Sequence, residues 1–177
     1  MRADAKRNRA KILAAAEEVF VAAGSDASTE EVARRAGVAI GTVFRHFPTK
    51  NDLLAAIMKE LADRLAGEAE TLAAEGDPAT ALFTFFAGVV EQAAGRKTVV
   101  ELLDVDIRVD SQLQTMRDAI GALLTRAQQA GAVRAGVRLD EVMALLTATS
   151  AGALRAGWDR DLRTRTLDVV FAGLRPR

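Results

Sequence analysis

The chain's one histidine, His46, stands in the stretch GVAIGTVFRHFPTKNDLL, residues 37–54, and no cysteine occurs among the 177 residues. Without cysteine there is no thiolate nucleophile, no disulfide and no cysteine-held zinc. One histidine alone gives no histidine cluster for a metal, so neither a metal nor a cofactor is expected. Asp104 and Asp106 are the remaining candidates for acid/base work. Two residues apart on a helix, they point to different sides and make a poor pair. No glycine motif of the phosphate-cradling kind occurs. Most common catalytic chemistries are thereby removed, and the chain is read as not an enzyme.

The elements that carry these residues are helices. Half the residues are hydrophobic, 36 are alanine, three are proline and none is tyrosine, a composition that favours an all-helical fold. In RAKILAAAEEVFVAAG, the residues Ile12, Leu13, Ala16, Val19, Phe20 and Ala23 recur at helical spacing up to Gly24. STEEVARRAG opens with Ser28 and Glu31 at capping-box spacing. That second helix runs to about Ala36, where Gly37 can take the left-handed conformation that ends a helix. Val38 plugs the corner before a third helix of about Ala39 to His46. Two short helices joined by a glycine turn make a helix-turn-helix. Pro48 closes the third helix, and Thr49 to Asp52 start a fourth with a second box-like cap. Leu53, Leu54, Ile57, Met58, Leu61 and Leu65 give the fourth helix an apolar stripe. Downstream, Gly76-Asp77-Pro78 is the clearest break, and the segments after it bring the expected count to about nine helices. One of these is a shorter helix over TVVELLDVDIR.

Charge is distributed unevenly although the net charge is zero. Residues 1–50 hold nine Lys/Arg against six Asp/Glu, and residues 51–177 hold fifteen against eighteen. Arg2, Lys6, Arg7, Arg9 and Lys11 crowd the start against Asp4 alone. Such a bias suits a basic N-terminal part that meets a polyanion; taken alone, these residues are better accounted for by solvation of a frayed helix start. No apolar run reaches the roughly 18 residues that cross a bilayer, and MRADAKRNR lacks the apolar core of a secretory signal. A cytoplasmic location is expected.

Residues 9–58 resemble the N-terminal DNA-binding domain of the TetR family of bacterial transcriptional regulators. The resemblance rests on ILAAAEEVF followed by AAG, and on STEEVARRAGVAIGTVFRHFPTKNDLL, with its order of alanine-glycine-valine, glycine-threonine, histidine-phenylalanine, lysine and paired leucines. It implies a domain at 1–48 that binds double-stranded operator DNA, and a ligand-binding and dimerisation domain at 49–177. Position 44 is Phe where the family usually has Tyr, and position 39 is Ala where a serine-like cap is common. A recognition helix presents short or polar side chains at its start and cations or hydroxyls at its flanks. On that pattern Ile40, Gly41 and Phe44 are base-contact candidates, with Ile40 and Phe44 suited to thymine methyls and Arg45 suited to guanine. Thr29, Thr42, His46 and Lys50 are phosphate-contact candidates, and Arg45 belongs with them if it does not read a base. Val38, Val43 and Phe47 face the core of the small domain. His46 is thus a phosphate anchor rather than a catalyst; the alternative for it is a buried ring satisfied by a backbone carbonyl.

The rest of the chain carries no motif of that strength. Phe83, Phe86, Leu102, Leu103, Met116, Leu146 and Trp158 are core residues that would also wall a pocket for a small-molecule effector, with Thr84, Gln112, Thr149 and Ser150 as its polar contacts. Ala144, Ala148, Ala151 and Gly152 form a stripe of small residues, and Leu167, Val170, Phe171 and Leu174 repeat at i, i+3, i+4 and i+7. Close-packing faces of this kind suit a four-helix interface in a homodimer, or equally the interior of one subunit. A helix-turn-helix reads few bases without a symmetric partner, which favours the dimer. The expected function is a sequence-specific transcriptional repressor released by a small molecule. A protein-interaction module with a vestigial helix-turn-helix, or an enzyme with a site at Asp104 or Asp106, are the alternatives.

Overall fold

The computed structural model describes the backbone of residues 2–23, 26–95 and 110–176, and the side chains within 4–23, 26–95 and 114–176. Among the described residues there are eight helices and no strand: α1 (Arg2–Ala23), α2 (Thr29–Ala36), α3 (Ile40–His46), α4 (Lys50–Glu75), α5 (Ala81–Gly95), α6 (Asp110–Gln129), α7 (Leu139–Arg155) and α8 (Arg160–Leu174). The helix expected over TVVELLDVDIR lies outside the described residues. So do Leu102, Leu103, Asp104 and Asp106, and the side chain of Gln112. No described helix is long and apolar enough to cross a membrane.

The described residues fall into two compact units that divide within α4, between Leu61 and Ala62. In the first, the α1 face of Ile12, Leu13, Ala16, Val19 and Phe20 meets Val32 and Ala33 of α2, Val43 of α3, and Phe47 beyond it. Leu53, Leu54 and Ile57 from the first turns of α4 complete this core. The unit therefore continues past Pro48, because Pro48 and Thr49 only redirect the chain before α4 returns apolar side chains to the same core. A seven-residue helix such as α3 has no stability of its own. It persists because Val43 within it and Phe47 at its end are buried, each contributing about 1.5 to 3 kcal/mol through removal from water.

The second unit is built on α5. Leu82, Phe85, Phe86 and Val90 of α5 are almost completely buried with Ile120 and Leu123 of α6 and Val142 of α7. Phe171 of α8 packs between Phe83 and Phe86, its ring centroid 4.9 Å from the first and 5.5 Å from the second, the latter edge-on. Both separations fall in the range aromatic rings prefer. Arg126 of α6 donates to the carbonyls of Leu72, Ala73 and Gly76 at and just beyond the C-terminal end of α4, where helical carbonyls run out of amide partners; that of Leu72 also accepts from the Gly76 amide.

Candidate nucleic-acid interface

Local rules fix the path of the chain through α2 and α3. The Glu31 amide donates to Ser28 Oγ at 3.1 Å, the cap that the Ser28–Glu31 spacing predicts. The Glu31 carboxylate turns to Arg34, at 2.7 and 2.5 Å, instead of completing the box. That hydrogen bond holds the Glu31 carboxyl below its ordinary value and the Arg34 guanidinium above its own. Gly37 follows at φ 67°, in the left-handed region, so that its amide bonds Arg34 and the Val38 amide bonds Ala33. This is the Schellman arrangement, in which a side chain at position 37 is strained and none is present. Val38 then packs against the core. α3 starts at Ala39 without a side-chain cap, as its sequence implies. Thr49 and Asp52 form a full reciprocal box at the start of α4, the Thr49 amide donating to Asp52 Oδ2 at 3.0 Å and the Asp52 amide to Thr49 Oγ1 at 3.1 Å.

This frame turns Val43 and Phe47 inward and leaves the opposite face of α3 outward. Ile40 is 38% and Phe44 47% exposed, and Gly41 and Arg45 are also exposed. A Cβ added to Gly41 would meet no atom of the described residues within 4 Å, so a side chain there would have open space. Two large apolar side chains held in water on a seven-residue helix stabilise nothing in the protomer. They flank an open glycine and an arginine, which together form a surface able to enter a major groove. Thr29, Thr42, His46 and Lys50 are half-buried at the margin of this surface. The His46 ring is 6.2 Å from that of Phe47. Lys50 donates to the Ala27 carbonyl at 3.1 Å and lies 5.4 Å from the Phe20 ring centroid. This tether holds the Lys50 ammonium, which has three donors, at the margin of the surface. Arg9, which the site assignment from sequence omits, stacks 5.5 Å from the Phe47 ring centroid.

Residues 12–57 match the family described as bacterial regulatory proteins, tetR family, and residues 77–176 match the SbtR-like transcriptional regulator C-terminal domain. The chain belongs to the TetR family. It is a DNA-binding transcriptional regulator with the all-helical fold of that family. An HTH-type transcriptional regulator of Mycobacterium bovis is 30% identical over 149 residues, covering 79% of this chain and 77% of its own. The crystal structure of a TetR transcription regulatory protein from Mycobacterium vanbaalenii superposes with TM-score 0.80 at 37% identity, over 99% of each chain. A Streptomyces coelicolor TetR regulator follows at TM-score 0.78 and 34% identity, over 95% of this chain and 98% of its own.

In the second unit of this TetR-family chain, the residues expected to line a pocket or an interface are distributed differently. Phe83, Phe86, Leu146 and Thr149 are buried, Met116 and Trp158 half-buried, and Thr84 exposed. The Thr149 hydroxyl donates to the Leu145 and Leu146 carbonyls of its own helix. Ser150 Oγ is buried without a hydrogen-bond partner among the described residues. Leu167, Phe171 and Leu174 are buried in the protomer's own core, with Val170 packed against it, so this face of α8 is not its outer one. The i, i+3, i+4, i+7 pattern records burial without saying against what. The outer face of α8 carries Leu162, 46% exposed, and Val169, 74% exposed. On α7, Ala144 and Ala148 are exposed and Ala151 half-buried, whereas Gly152 is covered by Trp158: a Cβ there would overlap the indole. A groove of about 370 Å³ lies between α5 and α8, bounded by Gly88, Glu91, Arg160, Arg163 and Thr164. Arg163 grips both Glu91 carboxylate oxygens at 3.0 Å within it.

Proposed function

We propose that this regulator is a homodimeric repressor that leaves its operator when a small molecule occupies the second unit. One observation carries the reading: α4 is unbroken from Lys50 to Glu75, with Leu53, Leu54 and Ile57 in the core beneath the helix-turn-helix and Ala69 in the core of the second unit. In this reading a shift of α4 at the effector site is carried along the helix to the core beneath the helix-turn-helix. In this scheme Ile40, Gly41, Phe44 and Arg45 face bases, Thr29, Thr42, His46 and Lys50 hold phosphates, and the two recognition helices of a dimer enter successive major grooves about 34 to 36 Å apart. A modest tilt of each α4 breaks that simultaneous fit.

The effector site in this reading lies among Phe83, Phe86, Met116 and Leu146, with the unpartnered Ser150 hydroxyl as its polar contact. The exposed Leu162 and Val169 of α8, with Ala144 and Ala148 of α7, supply the surface on which two copies meet. The protein acts in the cytoplasm, where bacterial DNA lies, and catalyses no reaction.

Coupling between two sites is reciprocal, with typical magnitudes of about 1 to 3 kcal/mol. The effector, once recovered by screening for compounds that raise the melting temperature, is titrated into the protein with and without saturating operator. The repressor reading requires operator to weaken the effector by the factor by which the effector weakens operator. Equal effector affinities in the two titrations would mean a ligand that does not regulate DNA binding.

A further inference from the structure

The first turns of α1 precede the matched part of the helix-turn-helix domain, which begins at residue 12. Along α1, Lys6, Arg9, Leu13, Ala16 and Phe20 follow one another at spacings of three and four, which is one stripe of a helix. From Leu13 onward the stripe is buried in the core of the first unit, whereas Lys6 and Arg9 are exposed. The face that α1 buries in the core of the first unit therefore continues beyond it as a pair of cations. Its inner member is held in place, since the Arg9 guanidinium rests 5.5 Å from the centroid of Phe47, whose ring also neighbours His46. Stacking of this kind fixes the plane of a guanidinium and leaves its in-plane N–H groups to bond an anion.

Helix energetics give no reason for these cations. Lys6, Arg7, Arg9 and Lys11 lie in the second and third turns of α1, beyond the first turn in which the helix dipole acts on a charge. Asp4 engages Arg7, and no other acidic residue stands among them before Glu17 in the chain. Exposed cations that the helix itself does not require, beside an exposed recognition face, suit a binding role.

We propose that Lys6 and Arg9 hold DNA phosphates next to the end of α3, which makes α1 a second backbone-contacting element outside the helix-turn-helix. The proposal rests on the DNA-facing role of α3 and extends it. Each phosphate neutralised on B-DNA adds about 0.9 to the slope of log affinity against log salt. The full-length Lys6→Gln/Arg9→Gln variant should therefore bind a mixed-sequence duplex roughly tenfold or more weakly at physiological salt, with a slope shallower by about 2. Lys6→Arg/Arg9→Lys keeps both charges and should retain the wild-type slope. A wild-type slope in the glutamine variant would overturn the proposal. Absence of duplex binding by the wild-type protein at every salt concentration would overturn the role of α3, and the proposal with it. A readout independent of variant folding is acetylation of the wild-type protein. Lys6 should be protected by the duplex at low salt and labelled at high salt, and equal labelling with and without DNA would again overturn the assignment.

Discussion

The two units of this chain bury their cores by the same means but fix their surfaces differently. In the first, each turn is tied to a residue type: a serine that caps, a glycine at φ 67°, a threonine and an aspartate that box the next helix. Such rules act over three or four residues, so they fix which way α3 faces before any long-range contact forms. The second unit also has such turns, with Asp159 capping α8 and Gly131 at φ 70° after α6, but its helices are long and their orientation is set by which apolar faces pack together. The outward face of α3 is a consequence of local chemistry, and the outward face of α8 a consequence of its neighbours.

Phe171 offers the strongest test of that contrast. Removal of a ring wedged between Phe83 and Phe86 leaves a cavity, so Phe171→Ala should destabilise the protein by about 3 to 5 kcal/mol in chemical denaturation. A stability change near zero, with loss of the dimer instead, would move Phe171 from core to interface. Val169→Glu is its counterpart on the outer face of the same helix. The protomer should keep its helicity and its unfolding midpoint, since an exposed site changes stability by about 0.5 kcal/mol or less. Sedimentation should show a dimer weakened by about 1 to 3 kcal/mol, the scale on which an uncompensated polar group is buried. Unfolding of this variant would show that α8 has no free outer face.

The smaller effects compare two glycines within the first unit. Gly37→Ala places a Cβ on a left-handed residue and should lower stability by about 1 to 2 kcal/mol. Gly41→Ala adds a methyl to open space inside a helix and should raise it by about 0.5 to 1 kcal/mol, while weakening operator binding. Thermal melts of both variants, with DNA affinities alongside, separate a glycine kept for the turn from one kept for the groove. Equal destabilisation would erase the distinction.

The contrast also explains what was legible in the residues alone. The extents of α2 and α3, the left-handed Gly37 and the Thr49–Asp52 box follow from Ser28, Gly37, Pro48 and Asp52, because each stands where only a few residue types serve. The inward Val43 and Phe47 and the outward Ile40 and Phe44 follow from helical spacing once those ends are set. Legibility fails where a pattern has two solutions. Leu167, Phe171 and Leu174 satisfy a core and an interface alike, and only the positions of Phe83 and Phe86 decide. Gly152 looks like a close-packing position until Trp158, six residues on, is found lying over it. Arg9 continues the stripe of Leu13, Ala16 and Phe20, but its place beside the site depends on Phe47, remote in sequence and adjacent in the fold.

The central claim, that the outward face of α3 reads DNA, is tested most directly by selecting bound sequences from random duplexes and measuring Arg45→Ala and His46→Ala on the selected operator and on mixed-sequence DNA. Arg45→Ala should lose about 1 to 3 kcal/mol at a single position of the half-site with little change on mixed sequence. His46→Ala should weaken both duplexes alike and flatten the salt dependence by about one phosphate contact. Unaltered affinity and selectivity in both variants would contradict the account, because the recognition surface would then lie elsewhere on the protein.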